Sequence, residues 1–141
     1  MVRYGTEIKS PKPMMDQDTR EFWMKIQETK KLHLQRCKDC ETYMHPPRPI
    51  CHKCHTSNME YVPASGKGTI YSYVIYHRST YPSFKVPYEV VLVELEEGVR
   101  IISNMMDCEP HEIYIGMPVE SVIDQVFEDI ALPKFVKRES D

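Results

Sequence analysis

Four cysteines, Cys37, Cys40, Cys51 and Cys54, stand in the order C-x2-C-x10-C-x2-C. Each C-x-x-C pair can turn two sulfurs toward one ion about 2.3 Å away, and the spacer lets the second turn fold back to complete a tetrahedron. That spacing predicts a zinc ribbon. Four thiolates fill every coordination position and leave none for water or substrate, so the expected zinc is structural, one per chain. The local charges agree with a metal. Arg36, Lys38, Arg48 and Lys53 stand against Asp39 and Glu41, a surplus of about +2 that offsets the roughly −2 of a zinc tetrathiolate. Iron could use the same sulfurs. Knuckles of the rubredoxin type usually carry glycine after the second cysteine, however, whereas Glu41 and His55 stand here. If those residues must adopt a positive φ, each side chain costs about 1 kcal/mol. Zinc is therefore preferred. Disulfide or redox pairing is disfavoured because no signal peptide precedes the cysteines, and His45, His52 and His55 are not needed as substitute ligands.

Charge and length bound the rest. The 141 residues carry a net charge of −3 with a pI near 6.1, which disfavours a surface built for nucleic acid. An oligonucleotide-binding module is the rival class, since barrels and ribbons both serve that purpose. No apolar run approaches the roughly 18 residues of a membrane span, so a soluble, cytoplasmic chain with no membrane partner is expected. A ribbon of this size cannot fold on its own apolar core, and zinc supplies what burial does not. The chain lacks a G-x-S-x-G elbow, a Walker loop and an H-E-x-x-H helix, so no catalytic residue is expected. Cys108 lies between Asp107 and Glu109, whose carboxylates should raise its thiol pKa and leave it inert.

Three segments are expected: an arm and amphipathic helix over 1–31, the ribbon over 32–62, and a barrel with a C-terminal tail over 63–141. The proline-bearing stretch 1–17 reads as an arm that orders on a partner. Asp18 begins a capping box with Glu21, and Phe22, Trp23 and Ile26 share the apolar face of the helix that follows. Phe22 and Trp23 are either core or an anchor for another subunit. Residues 32–36 alternate as a strand entering the first knuckle, and 43–49 form a proline-rich connector. From Gly66 onward only period-two segments occur, over 67–77, 88–95, 99–105 and 117–126. In the first, Ile70, Val74 and Tyr76 should share one face and Tyr71, Tyr73 and Ile75 the other. Mainly β structure follows, with an N-terminal helix and a small OB-type barrel after the ribbon.

Several of these segments together resemble a known family. Phe22-Trp23, Leu34-Gln35-Arg36-Cys37, Pro46-Pro47-Arg48-Pro49, Ser65-Gly66-Lys67-Gly68-Thr69-Ile70-Tyr71-Ser72, Ile115-Gly116-Met117-Pro118-Val119 and Leu132-Pro133-Lys134-Phe135 are similar to the OB-fold, zinc-ribbon family associated with acyl-CoA metabolism. That family was first classed as the thirty-fifth domain of unknown function. The resemblance implies a rubredoxin-like zinc ribbon before the OB barrel, and a non-catalytic subunit of a hetero-oligomeric acyl-CoA enzyme, with a thiolase-fold partner or, alternatively, an acyl-CoA hydratase. Coenzyme A wants aromatic surface with a few cations. Tyr71, Tyr73, Tyr76 and Tyr88 with Lys67 lie near the loop 79–87, and Arg78, Tyr81, Phe84 and Lys85 are the candidate contacts to acyl-CoA or to the partner.

Overall fold

The computed structural model describes residues 11–79, 81 and 84–139. Most of the expected N-terminal arm, together with Thr80, Pro82 and Ser83 of the 79–87 loop, lies outside them. Helix α1 (Arg20–Thr29) begins with Thr19 as N-cap, but no side chain caps it there. Asp18 does not perform the expected role. Asp16 does, because its Oδ1 accepts the N–H groups of Asp18 and Thr19 and the Thr19 hydroxyl, each at 3.0 Å, while its carbonyl takes the Arg20 N–H at 2.9 Å. A turn closed on itself at 16–19 thus leads into the helix, its anchoring carboxylate two residues before the one the capping box suggests. The helix ends where Lys30 turns left-handed and donates its N–H to Ile26. Phe22 and Ile26 are buried, and half-buried Trp23 meets the Phe22 ring edge-on at 5.1 Å.

The ribbon is a three-stranded antiparallel sheet in the order β2 (Tyr43–Met44), β1 (His33–Cys37), β3 (Met59–Pro63). β1 pairs along its whole length with β3. Arg36 crosses to its register partner Glu60 at 2.6 Å. Buried Gln35 stands in for a missing strand: its amide N–H donates to the Arg48 carbonyl at 2.7 Å and its Oε1 accepts the Arg48 N–H at 2.8 Å. One side chain thereby holds the proline-rich connector, whose prolines cannot supply ladder donors.

The second sheet runs β6 (Arg100–Ser103), β5 (Tyr88–Leu95), β4 (Lys67–Tyr76), β7 (Pro118–Asp124), β8 (Leu132–Lys137). It curls until Met105 bridges Phe135 in parallel, with the Phe135 N–H on the Asn104 carbonyl and the Met106 N–H on the Phe135 carbonyl. A five-stranded OB barrel, closed on one side by this clasp, results. β4 carries the curvature. Its first residues pair with β7 and its whole length with β5, with a bulge between Ile70 and Ser72. The extra residue reverses the alternation. Ile70 is buried, and beyond the bulge Tyr73 and Ile75 pack on the core while Tyr71, Val74 and Tyr76 are exposed, so the expected division of faces holds on neither side. β8 was not expected as a strand, because Pro133 interrupts it and Lys134, 9% exposed, breaks the apolar pattern. Lys134 is accommodated by its ion pair with Asp124 on β7 at 2.7 Å.

Helix, ribbon and barrel share one core: Phe22, Ile26, Leu32 and Leu34 join Ile70, Val91, Val93, Val119 and Phe135 in a single cluster. Burying that apolar surface, at about 25 cal/mol per Å2, stabilises all three parts at once. Gly68 sits where two strands press closest, since a Cβ there would lie 2.4 Å from the Glu94 carbonyl oxygen. Gly68→Ala is expected to destabilise the chain by about 2 kcal/mol through overpacking against backbone that cannot yield, measured as the shift of the urea midpoint.

Candidate metal centre

The two C-x-x-C turns repeat one hydrogen-bond pattern. In the first, the Glu41 N–H donates to the Cys37 carbonyl at 2.8 Å and the Cys37 N–H to the Thr42 carbonyl at 2.9 Å; in the second, His55 donates to Cys51 at 3.0 Å and Cys51 to Thr56 at 2.9 Å. Glu41 has φ 62 and His55 φ 65. The knuckles therefore adopt the left-handed geometry for which glycine is usual, with side chains bearing its cost.

This backbone gathers the four sulfurs to within 4.8 Å of one another. Cys37 and Cys54 are 3.4 Å apart and Cys40 and Cys51 3.6 Å. A tetrahedron with ligands at about 2.3 Å has edges of about 3.8 Å, whereas a disulfide would need about 2.05 Å. The donor set fits one zinc, and Cys37, Cys40, Cys51 and Cys54 would hold it. None of His45, His52 and His55 joins the group. Cys37 and Cys51 are buried while Cys40 and Cys54 reach the surface.

Without a cation the thiols cannot all ionise. The Thr42 hydroxyl, 3.1 Å from Cys40 Sγ, and then the Thr42 N–H pull Cys40 down to about 6. Cys54 receives the Thr56 N–H, which lowers it, but the contact with Cys37, burial and the remaining sulfurs together push it up to about 12. One thiol gives up its proton readily and another keeps it, as expected of like charges sharing a site. A divalent ion removes that conflict.

The remaining candidates sort by position. Tyr76 and Tyr88 are register partners on β4 and β5 and stack at 5.0 Å with planes 10° apart. Phe84 reaches Tyr88 at 5.4 Å and Tyr81 reaches Phe84 at 5.9 Å, so the loop and the strand ends form one aromatic row. Arg78 and Lys85 are exposed near it. Tyr73 belongs to the core. Tyr71 instead carries the Arg100 guanidinium 3.8 Å above its ring, a contact that spacing alone does not reveal. The Cys108 thiol is raised, as expected, but through burial first and Glu112 second rather than through its neighbours in sequence.

A cleft of about 300 Å3 opens where α1, the ribbon connector and the barrel meet, lined by Phe22, Trp23 and residues 45–47, 101–104 and 132–134. His45 lies 5.3 Å from the Phe22 ring, its pKa pressed to about 4 by burial. Its Nδ1 is buried with no hydrogen-bond partner. Sequence reasoning had no signal for this cleft, since its walls come from four separate elements. Among the described residues no helix is long and apolar enough to cross a membrane.

Comparison with known proteins adds to this geometry. Residues 30–60 match the ChsH2 rubredoxin-like zinc ribbon domain and residues 61–124 the ChsH2 C-terminal OB-fold domain. A DUF35 domain-containing scaffold protein of Methanocaldococcus jannaschii is 41% identical over 109 residues, 76% of this chain and 77% of that protein. A probable enoyl-CoA hydratase alpha subunit of Thermomonospora curvata is 40% identical over 127 residues, 89% of this chain. The chain spans only 39% of that relative's length. Among solved structures, the Ltp2-ChsH2(DUF35) aldolase aligns with a TM-score of 0.82 and 37% identity, covering 89% of this chain and 98% of that one.

Two outcomes test the centre. Chelation, or Cys51→Ala, is expected to release one zinc per chain and to lose several kcal/mol of stability, seen as rapid amide exchange throughout β1 and β3. His55→Gly is expected to raise the stability of the zinc-loaded chain by about 0.5–1 kcal/mol by relieving the left-handed backbone, read from the thermal midpoint with zinc content unchanged.

Proposed function

We propose that this chain, which belongs to the DUF35 family of zinc-ribbon and OB-fold proteins, is a non-catalytic, zinc-stabilised subunit of a hetero-oligomeric acyl-CoA enzyme. The alignment with nearly the whole of the DUF35 chain of an aldolase, at a TM-score of 0.82, carries this reading. The aldolase name favours a partner that makes or breaks a carbon–carbon bond, and we propose that this partner has the thiolase fold. The enoyl-CoA hydratase alpha subunit, of which the chain matches a minority, favours hydratase as the second reading. A module found in proteins named for different reactions supplies something common to them rather than the reacting groups. The closed sulfur centre supports this, since it has no position for substrate. Cys108, with its raised pKa, is a poor nucleophile.

The aromatic row Tyr81–Phe84–Tyr88–Tyr76 with Arg78 and Lys85 is where acyl-CoA or the partner would be met. Aromatic faces suit the adenine and apolar arm of coenzyme A, and two cations suit its phosphates without a broad basic field. The chain purified gently from its host is expected to appear in native mass spectra with one zinc and an acyl-CoA enzyme subunit. The complex should cleave or form a carbon–carbon bond, or on the second reading hydrate an enoyl-CoA. In that complex Arg78→Ala with Lys85→Ala should raise KM for acyl-CoA about tenfold with kcat retained. An unaccompanied chain, or one carrying oligonucleotide, overturns the reading.

A further inference from the structure

The barrel's seam is only half closed, and the open half has the chemistry of a strand acceptor. In the β5–β6 hairpin the Leu95 N–H donates to the Val99 carbonyl, and the register then runs Glu94↔Arg100, Val93↔Ile101, Leu92↔Ile102, Val91↔Ser103. Hydrogen-bonded and non-bonded pairs alternate along an antiparallel ladder. Val93–Ile101 and Val91–Ser103 are therefore the bonded pairs, and the N–H and C=O groups of Arg100 and Ile102 point away from β5. The clasp to β8 confirms this parity, for it uses Asn104 and Met106, the next even-numbered positions on the same edge. That ladder stops at Asn104. On the facing strand Pro133 has no N–H to continue it, and its carbonyl is taken by the Ser103 hydroxyl at 2.7 Å.

The cleft between residues 101–104 and 132–134 borders this stretch, which is unpaired among the described residues. Two observations mark it as unfinished. Ile102 is 71% exposed on the edge, where proteins ordinarily place lysine, proline or a bulge; the one charge of β6, Arg100, is already engaged by Glu94 at 3.3 Å. His45 Nδ1, in the cleft wall, is the buried side-chain polar atom left without a partner among the described residues.

We propose that the Arg100–Ser103 edge takes up an extended segment of the partner enzyme subunit by strand addition. The segment's backbone pairs with Arg100 and Ile102, and an apolar side chain from it enters the cleft against Trp23, Pro46 and Leu132. Main-chain groups that are unpaired among the described residues and set at a strand's spacing suit an extended backbone. The apolar cleft beside them selects one side chain of it. The inference rests on the subunit role proposed above and names the surface through which that role is carried out.

Hydrogen exchange on the chain alone and in its purified complex tests it. The Arg100 and Ile102 amides are expected to exchange at least about tenfold more slowly in the complex, while the exposed loop amides do not change. Ile102→Pro removes only a donor that faces away from β5, a position where an edge strand tolerates proline. It should weaken the complex about tenfold through the lost hydrogen bond and its neighbour's contacts. Ile102→Lys, which leaves every β5–β6 bond intact, should do the same by charging the edge, whereas Ile102→Val should bind normally. If an enzyme subunit co-purifies but the two amides exchange as in the free chain and the Lys variant binds normally, this inference falls and the subunit role stands. If no enzyme subunit co-purifies, both fall. A dimer of the chain alone that Ile102→Lys dissolves in sedimentation would assign the edge to a second copy and overturn the proposal.

Discussion

The mutual repulsion of four thiolates is the constraint on which the rest of this fold depends. Sulfurs held within 4.8 Å cannot share a site as anions unless a cation sits among them, and the Cys54 thiol, raised against the Thr56 N–H by its contact with Cys37, burial and the other sulfurs, expresses that conflict. Zinc turns it into the strongest restraint in the ribbon. The consequence extends beyond the ribbon, because β1 runs directly into Cys37 while its Leu34 lies in the common core beside Val93 and Phe135. The second small cluster, Cys37, Met44 and Cys51, is in effect the lining of the metal site. Ordering the sulfurs therefore orders β1, and β1 with the residue before it places Leu34 and Leu32 in the core shared with α1 and the barrel. A domain of this size gains what its own apolar burial cannot supply.

What the sequence disclosed and what it hid follow a physical division. Features set by local spacing were legible: the four-cysteine centre, the helix with Phe22 and Ile26 inward, the long strands β4 and β5, and the barrel class. Features decided by a partner distant in sequence were not. β8 was hidden by Pro133 and Lys134, and the lysine is tolerable only because Asp124 lies across the ladder. The faces of β4 were misjudged because a bulge inserts one residue, and a period of two has no memory across it. Asp16 rather than Asp18 anchors the helix because its side chain closes a turn of its own first. Glu41 and His55 show the converse: the missing glycines implied a cost for a left-handed knuckle, and both residues adopt it, at φ 62 and φ 65, against roughly 1 kcal/mol of backbone preference at each.

The aromatic row and the open edge lie on the same three strands. β4 and β5 carry Tyr76 and Tyr88 at one end, and β6 lies beside β5 with Ile102 paired to Leu92. On the outer face, where even-numbered residues of β5 and β6 project, Tyr88, Val90, Leu92 and Ile102 follow one another in a band that ends in the Glu94–Arg100 ion pair. A core stabilised from within by Val91, Val93 and Ile101 does not require apolar residues on that outer side. Alternation in a half-buried sheet puts polar side chains there by default, so their replacement by valine, leucine and isoleucine calls for a reason outside the monomer's own stability. On the strand addition proposed above, cover by the partner subunit would supply that reason. The zinc and the shared core then fix the relative placement of α1, the connector and β6, so that the cleft beside the open edge keeps its width before anything enters it, and the ordering entropy that a loose acceptor would lose on docking is already spent in folding.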